Sequence, residues 1–433
     1  MKVAIVGFGI EGRASYSYYQ KLGANLTICD RQKINDLPKN TKVKLGNDWN
    51  KNLDQFDVIV RTAGINSKLL TDENPGIESK ITTTISEFLR VCTSKNIIGV
   101  TGTKGKGTTS TLISKIIEEH GKKVLLAGNI GRSPIEYIDK ITAETWVVLE
   151  LSSFQLSDIQ YAPHIMVCLM VEPEHLDWHD DTADYYQAKS RVFALQNRDD
   201  IAIYFAGNNN SKQIASNSRG HKIPFFTPPG AYIDNNNVII DDKIICQTSE
   251  IKLLGKHNWQ NVCAAITAGW QAGFRDERKI HSVITTFSGL PFRLEKIREL
   301  RGVTYFNDSL GTTPETTEAA IKSFSQPIVL IVGGSDKGIS FCKLAETIAN
   351  STVRSIIAIG VTGPWIAKEV KKLNLDIDIV ENLTKMDSMV NKAEQLAKAG
   401  DVVLLSCGSA SFGLFKDYKD RGNQFNQAVE ALS

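Results

Sequence analysis

Gly99-Val100-Thr101-Gly102-Thr103-Lys104-Gly105-Lys106-Gly107-Thr108-Thr109-Ser110 lies between a short apolar run, Ile97, Ile98 and Val100, and an amphipathic run, Leu112, Ile113, Ile116 and Ile117. The order predicts strand, glycine-rich loop, helix. Glycines let consecutive backbone N–H groups converge on one concavity, the helix N-terminus adds positive potential, and Lys106 brings a full charge, which together describe a polyphosphate cradle. The candidates are Gly102, Thr103, Lys104, Gly105, Lys106, Gly107 and Thr108. The stretch departs twice from the strict phosphate-loop pattern, with Val100 in place of Gly and Gly107 in place of Ser or Thr. A glycine- and threonine-rich surface turn is the alternative, but it does not account for an apolar strand and an amphipathic helix on either side.

Upstream, Val3-Ala4-Ile5-Val6-Gly7-Phe8-Gly9-Ile10-Glu11-Gly12 leads into a helical pattern and then Leu26-Thr27-Ile28-Cys29, ending at Asp30. This is a βαβ unit carrying GxGxxG with an acid closing its second strand, the literal form of a dinucleotide site. The same glycines suit any ligand whose phosphates approach a βα turn, a nucleotide sugar included, so both ligands stay open. A later strand, Val58-Ile59-Val60, runs to the turn Thr62-Ala63-Gly64.

Downstream come Lys123-Val124-Leu125-Leu126, the turn Gly128-Asn129-Ile130-Gly131, and Trp146-Val147-Val148-Leu149-Glu150-Leu151-Ser152-Ser153-Phe154-Gln155-Leu156. An acid at the end of a buried strand near a phosphate loop is where an α/β nucleotide enzyme holds magnesium, which makes Glu150 the first candidate carboxylate. Glu172-Pro173-Glu174-His175-Leu176-Asp177-Trp178-His179 follows the strand His164–Met170, and its spacing suits either metal ligands or a polar loop. Tyr185, Tyr186, Ala188, Lys189, Val192 and Phe193 then recur at helical spacing, where Lys189 by itself reads as a solvated lysine. Residues 207–250 are polar, Asn-rich and poor in helix signals, so surface strands and turns are expected there. Gly255-Lys256-His257-Asn258-Trp259-Gln260-Asn261 opens a helix of small residues, and its polar start is of the kind that contacts a nucleotide.

The last region begins at Pro291-Phe292-Arg293 and alternates strands (304–306, 328–332, 356–359, 377–379, 402–405) with helical patterns, predicting a second doubly wound sheet. Its strand ends carry Asn307-Asp308-Ser309, Gly333-Gly334-Ser335-Asp336-Lys337-Gly338 and Ser406-Cys407-Gly408-Ser409-Ala410-Ser411, the positions at which open α/β sheets bind ligands.

At 433 residues, the chain suits about three domains at roughly 150 residues each. The expected fold is α/β: a Rossmann-like N-terminal domain (1–85), a central P-loop-type ATPase domain (86–289) and a C-terminal doubly wound Rossmann-like domain (290–433). Fifty basic against 48 acidic residues leave +2 with no long run of either sign, so no nucleic-acid surface and no membrane patch is indicated, and the partner is small. Seven scattered cysteines without a CxxC pair suit a reducing compartment. The chain opens on a strand with no signal pattern, so a cytoplasmic enzyme is expected.

GTKGKGTTS, LELSSFQL, EHLDWH, YYQAKSRVF, GKHNWQN, LPFRLE and FNDS, in this order across all three regions, resemble the Mur ligase family. The resemblance implies an ATP-dependent ligase of peptidoglycan precursor synthesis. In it, ATP phosphorylates the carboxylate of UDP-N-acetylmuramoyl-L-alanine, and the amino group of glutamate attacks the acyl phosphate. It implies that Lys106 holds ATP phosphates, that Glu150 holds a magnesium ion and that His175 helps bind a second. Lys189 falls on the family's carbamylated lysine, a modification that turns an ammonium into an oxygen donor suited to magnesium. The implied metal set is Thr108, Glu150, His175 and Lys189. Asn258, Arg293 and Asp308 match positions that hold ATP. Ile10, Glu11, Gly12, Gly64 and Asn129 match the UDP-sugar site, which replaces a nicotinamide site. Thr312, Lys337, Ser411 and Tyr418 match the glutamate pocket, in a protein expected to act as a monomer.

Three positions depart from the family pattern. Gly107 replaces a magnesium-ligating hydroxyl, a role Thr108 can take over. Leu310 stands where enzymes that add D-glutamate carry lysine, and Gly413 where they carry an acid. Both lie at the acceptor end, so D-glutamate is expected, with L-glutamate as the alternative. Folylpolyglutamate synthesis is opposed by the SSFQL and GLPFR segments. A nicotinamide-dependent oxidoreductase leaves the central region unexplained, and a non-catalytic regulator does not account for Glu150, His175 and Lys189.

Overall fold

Three large sheets, parallel but for one edge strand, and one small antiparallel sheet carry the chain in a computed structural model that describes residues 1–336, 338–373 and 376–433. The α/β class expected from the sequence is what the structure has. The first sheet holds β1 (Lys2–Val6), β2 (Asn25–Asp30), β3 (Lys42–Leu45), β4 (Val58–Arg61) and β5 (Ile81–Thr83) in the order β3-β2-β1-β4-β5. All its pairings are parallel, and Val3, Ala4, Ile5 and Val6 are fully buried because helices cover both faces.

The second sheet holds β6 (Ile97–Thr101), β7 (Val124–Gly128), β8 (Trp146–Glu150), β9 (Ile165–Cys168), β10 (Ile201–Phe205) and β11 (His221–Phe225), again all parallel, in the order β11-β10-β9-β6-β8-β7. β6 sits between β8 and β9, so the cradle at its carboxyl end is flanked by the ends of both neighbours. The helix Lys106–Glu119 follows and buries Leu112, Ile113, Ile116 and Ile117 completely, each contributing about 1.5–3 kcal/mol. The helix His257–Gln271 packs against it through small residues. A Cβ at Gly269 would come within 3.1 Å of Ile116 Cγ2, so the approach depends on that glycine.

Residues 207–250 depart from expectation in one respect. They form β12 (Tyr232–Asp234), β13 (Asn237–Ile240) and β14 (Lys243–Gln247), an antiparallel sheet, but also a helix, Asn209–Ser216. Its start is the Asn-rich run itself. The Asn208 side chain accepts the Ser211 N–H at 2.8 Å, so a residue read as loop-forming acts as a helix cap.

The third sheet holds β15 (Glu295–Leu300), β16 (Val303–Asn307), β17 (Ile328–Gly334), β18 (Val353–Gly360), β19 (Asp378–Val380) and β20 (Val402–Leu405), ordered β15-β16-β20-β17-β18-β19. β15 was not expected. It is a charged edge strand, antiparallel to β16, whose alternation of Glu, Lys and Arg conceals the strand signal.

The chain divides into two compact units, residues 1–251 with 256–287 and residues 252–255 with 288–433. All seven cysteines are free, six of them buried and Cys342 exposed. Among the described residues no helix is long and apolar enough to cross a membrane.

Candidate active site

The cradle has the backbone its glycines suggested. Gly102 and Gly105 take φ of 148° and 87°, and a Cβ at Gly105 would lie 2.2 Å from Asn261 Oδ1. Thr109 Oγ1 donates to that same Asn261 oxygen at 3.4 Å, and Asn261 Nδ2 donates to Asn258 Oδ1 at 2.8 Å. Asn258, a nucleotide candidate, is thereby tied to the cradle through Asn261, which sequence reasoning did not single out as functional. Lys106 Nζ donates to the carbonyls of Gly102 and Thr103 at 3.0 and 2.9 Å. Lys104 is exposed, while Gly107 and Thr108 are buried in the first helical turn. Thr103 differs from a phosphate ligand: its N–H donates to Met170, and its hydroxyl engages Glu172 and the Tyr185 hydroxyl, fastening the loop to its neighbours.

The reading of Lys189 as a solvated lysine is overturned. Its side chain is 1% exposed, with Nζ 3.1 Å from the Gly102 carbonyl, 3.5 Å from Thr101 Oγ1 and 4.6 Å from the Tyr185 ring centre. Burial, reinforced by the charge of Lys106, pushes its pKa down to about 7. An amine of that pKa is about half unprotonated at neutral pH, the form that reacts with carbon dioxide. Lys106 and Lys189 thus meet at one carbonyl oxygen, a place that favours incoming negative charge.

Glu150 ends β8 and is buried, with Oε1 accepting from Asn129 Nδ2 at 2.8 Å. The Asn129 N–H in turn donates to the Glu150 carbonyl at 2.8 Å, and a Cβ at the preceding Gly128 would strike that carbonyl. Asn129, a sugar-site candidate, therefore orients the candidate magnesium carboxylate. The two histidines of the 172–179 loop have separate fates. His179 is buried, its Nδ1–H donating to Asp184 at 3.0 Å and its Nε2 accepting from Ser153 at 3.0 Å, and burial lowers its pKa so that the ring is neutral. His175 is exposed, with φ of 60° and its ring 4.7 Å from that of Phe154. Among the described residues no three His, Cys, Asp or Glu side chains converge as a metal cluster. The donor types of Thr108, Glu150 and His175 suit a divalent cation, and Lys189 would add an oxygen to them only as a carbamate.

In the N-terminal loop, Gly7 has φ of 88° and a Cβ at Gly12 would lie 2.0 Å from the Gly7 carbonyl, whereas a Cβ at Gly9 would meet nothing within 4 Å. The open edge of the turn is at Gly9 and the exposed Ile10. Glu11 is engaged by protein on both oxygens, accepting from the Ala63 N–H at 2.9 Å and from Gln155 Nε2 at 2.6 Å. It shapes the loop around the exposed Gly64. Asp30, the acid of the dinucleotide pattern, accepts the Phe8 and Gln32 N–H groups at 2.8 and 2.9 Å and so holds the glycine turn itself.

In the second unit Asp308 follows β16. It is buried, accepting from Ser406 Oγ at 2.7 Å and the Leu294 N–H at 3.2 Å, and burial pushes its pKa up to about 6. Arg293 is exposed. Thr312 is half-buried and Ser411 buried, and Tyr418 opens the helix Tyr418–Glu430, its carbonyl accepting from Ser309 Oγ at 2.8 Å. Arg421, missed from the sequence, joins the loops after β16 and β20 by donating to Ser309 Oγ, Ser309 O and Ser409 O at 2.9, 2.8 and 3.1 Å. Lys337 lies outside the described residues. Gly413 has φ of 95°, a backbone that favours glycine and supplies a local reason for the missing acid.

Residues 100–269 match the Mur ligase middle domain, and residues 292–409 match the Mur ligase glutamate ligase domain. The chain is 34% identical over 454 residues to the UDP-N-acetylmuramoylalanine--D-glutamate ligases of Clostridium kluyveri and Clostridium tetani, covering 100% of this chain and 97% of each relative. Its fold is similar to that of the UDP-N-acetylmuramate-alanine ligase of Thermotoga maritima, with a TM-score of 0.58 at 15% identity, covering 100% of this chain and 99% of that one. It is likewise similar to the MurF ligase of the same organism in complex with ADP, with a TM-score of 0.58 at 16% identity over 99% of this chain and 95% of that one.

Proposed function

The chain belongs to the Mur ligase family of ATP-dependent amide-bond-forming ligases of peptidoglycan synthesis, and we propose that it joins D-glutamate to UDP-N-acetylmuramoyl-L-alanine. The relatives' full-length similarity supports the substrates. For the chemistry, the supporting observation is the meeting of Lys106 and Lys189 at the Gly102 carbonyl.

In this reading ATP lies in the cradle of Gly102, Thr103, Lys104, Gly105, Lys106, Gly107 and Thr108, with Asn258, Arg293 and Asp308 as further nucleotide contacts. The γ-phosphoryl passes to the carboxylate of the UDP-sugar substrate, and Lys106 offsets the charge that builds on the transferring group. The amino group of glutamate attacks the acyl phosphate, the C–O bond breaks, and phosphate leaves as the amide forms. Thr108, Glu150, His175 and a carbamylated Lys189 would hold magnesium, whose positive charge would lower the cost of bringing a carboxylate and a polyphosphate together. Ile10, Gly12, Gly64 and Asn129 line the sugar-nucleotide site, with Glu11 acting by fixing the 62–65 loop. Thr312, Lys337, Ser411 and Tyr418 receive glutamate.

The test is to incubate the protein with ATP, magnesium, UDP-N-acetylmuramoyl-L-alanine and each glutamate enantiomer, and to weigh the product. ADP release is expected only with both substrates present; steady release with ATP alone overturns the ligation scheme. Leu310 and Gly413 favour a second reading, L-glutamate as acceptor. A tenfold preference for it in kcat/KM, about 1.4 kcal/mol, would establish that reading.

A further inference from the structure

Arg61 closes β4, in the interior of a parallel sheet where an apolar residue is the ordinary choice, and it has no exposed surface. A guanidinium taken out of water is costly unless every donor is met. Here Nε and Nη2 grip the two oxygens of Asp158 at 2.8 and 2.5 Å. Nη2 also donates to the Phe154 carbonyl at 2.9 Å, and Nη1 donates to the carbonyls of Ile65 and Thr62 at 2.6 and 3.2 Å. The Trp178 ring lies 6.0 Å away, and the Trp178 carbonyl accepts from Asn66 at 3.1 Å. Three segments distant in sequence, 62–66, 154–158 and the 172–179 loop, therefore meet around one side chain. The Glu11 carboxylate, which joins Ala63 to Gln155, ties the first two of these segments together independently.

We propose that Arg61 is a positioning residue for ligation: by bracing the 62–65 loop on the turn that follows Glu150, it sets the UDP-sugar substrate in register with the phosphate cradle. The proposal rests on the assignment of that loop to the UDP-sugar. A purely structural role would lower stability and disturb all substrates alike. A positioning role falls on one substrate, because the cradle's own ties run through Asn261, Tyr185, Lys189, Met170 and Glu172, and neither Arg61 nor Asp158 hydrogen-bonds any of these residues.

Steady-state kinetics of Arg61→Lys should show KM for UDP-N-acetylmuramoyl-L-alanine raised about tenfold or more, with KM for ATP changed by no more than about twofold. The double variant Arg61→Met with Asp158→Leu removes both charges and keeps apolar volume. It should recover most of the stability that Asp158→Leu alone costs and still show the UDP-sugar KM shift. Equal shifts for both substrates, a double variant with wild-type KM, or failure of both proteins to fold each overturn the proposal. Calorimetric titration of the wild type with UDP-N-acetylmuramoyl-L-alanine separates the two levels. No binding there overturns the substrate assignment and this proposal with it, whereas equal binding by wild type and variants overturns this proposal alone.

Discussion

Arg61 in the first unit and Arg421 in the second are, among the described residues, the arginines with no exposed surface, and they are held in opposite ways. Arg61 is gripped by both oxygens of a carboxylate. Arg421 is held by a hydroxyl and two carbonyls, and its charge reaches Asp308, helping that carboxyl to ionise against the effect of burial. The first charge is spent within its own pair and acts as a fastener. The second is left with a field that extends into the loops where nucleotide and glutamate candidates lie. Lys189 resembles Arg421 in this respect, since its contacts are a carbonyl and a hydroxyl. Buried cations without an anionic partner are thus found near candidate ligand positions, and the paired one at a structural junction.

The largest expected effect is at Lys189. Its pKa is about 7 when folded and 10.5 as the ordinary value, so between these the unfolded chain holds a proton that the folded chain has released, and stability rises with pH across that window. Below pH 7 the buried ammonium is felt in full, a burden of the order of 5 kcal/mol. In carbon dioxide-free buffer, Lys189→Met should therefore be more stable than wild type below pH 7 and match it near pH 10.5. Denaturant titrations at fixed pH measure this, and a loss of stability below pH 7 would place Lys189 with the paired cations.

Next is Asp158→Leu alone, which leaves Arg61 buried without its anion and should cost about 3–5 kcal/mol, whereas adding Arg61→Met should recover most of it. If the single and double variants unfold at the same denaturant concentration, the pair is not the fastener described. A smaller effect is expected at Asp308. Its folded pKa of about 6 lies above the ordinary 3.8, so stability falls as pH rises from about 4 to 6, by roughly 3 kcal/mol. Arg421→Met should extend that fall to higher pH and so enlarge it, and an unchanged end point would mean that its field does not reach the carboxyl. Smallest is Gly413→Asp in the loop after β20. The left-handed backbone there should make it about 1 kcal/mol less stable by thermal melting, and no loss would show that the loop relaxes.

The cradle was legible because Gly102 and Gly105 answer local demands, a positive φ and a close approach, that one-dimensional spacing records. Lys189 was half legible: Tyr185, Ala188, Val192 and Phe193 place it on the buried face of the helix Thr182–Ala194, but a lysine's usual solvation outweighs spacing unless a second charge such as Lys106 is known to lie nearby. Arg61 was not legible, since its partner Asp158 lies 97 residues away and nothing local announces the pairing. The helix Asn209–Ser216 and the edge strand β15 were hidden by composition, the one by asparagines and the other by alternating charges.

The distribution of thiols has a practical consequence. Six of the seven cysteines are buried and Cys342, in the second unit, is exposed, so a maleimide dye should attach at one position under native conditions. With a second thiol engineered into the first unit, the pair becomes a fluorescence ruler between the two units, readable as ATP and the UDP-sugar are added in turn, without removing any native cysteine.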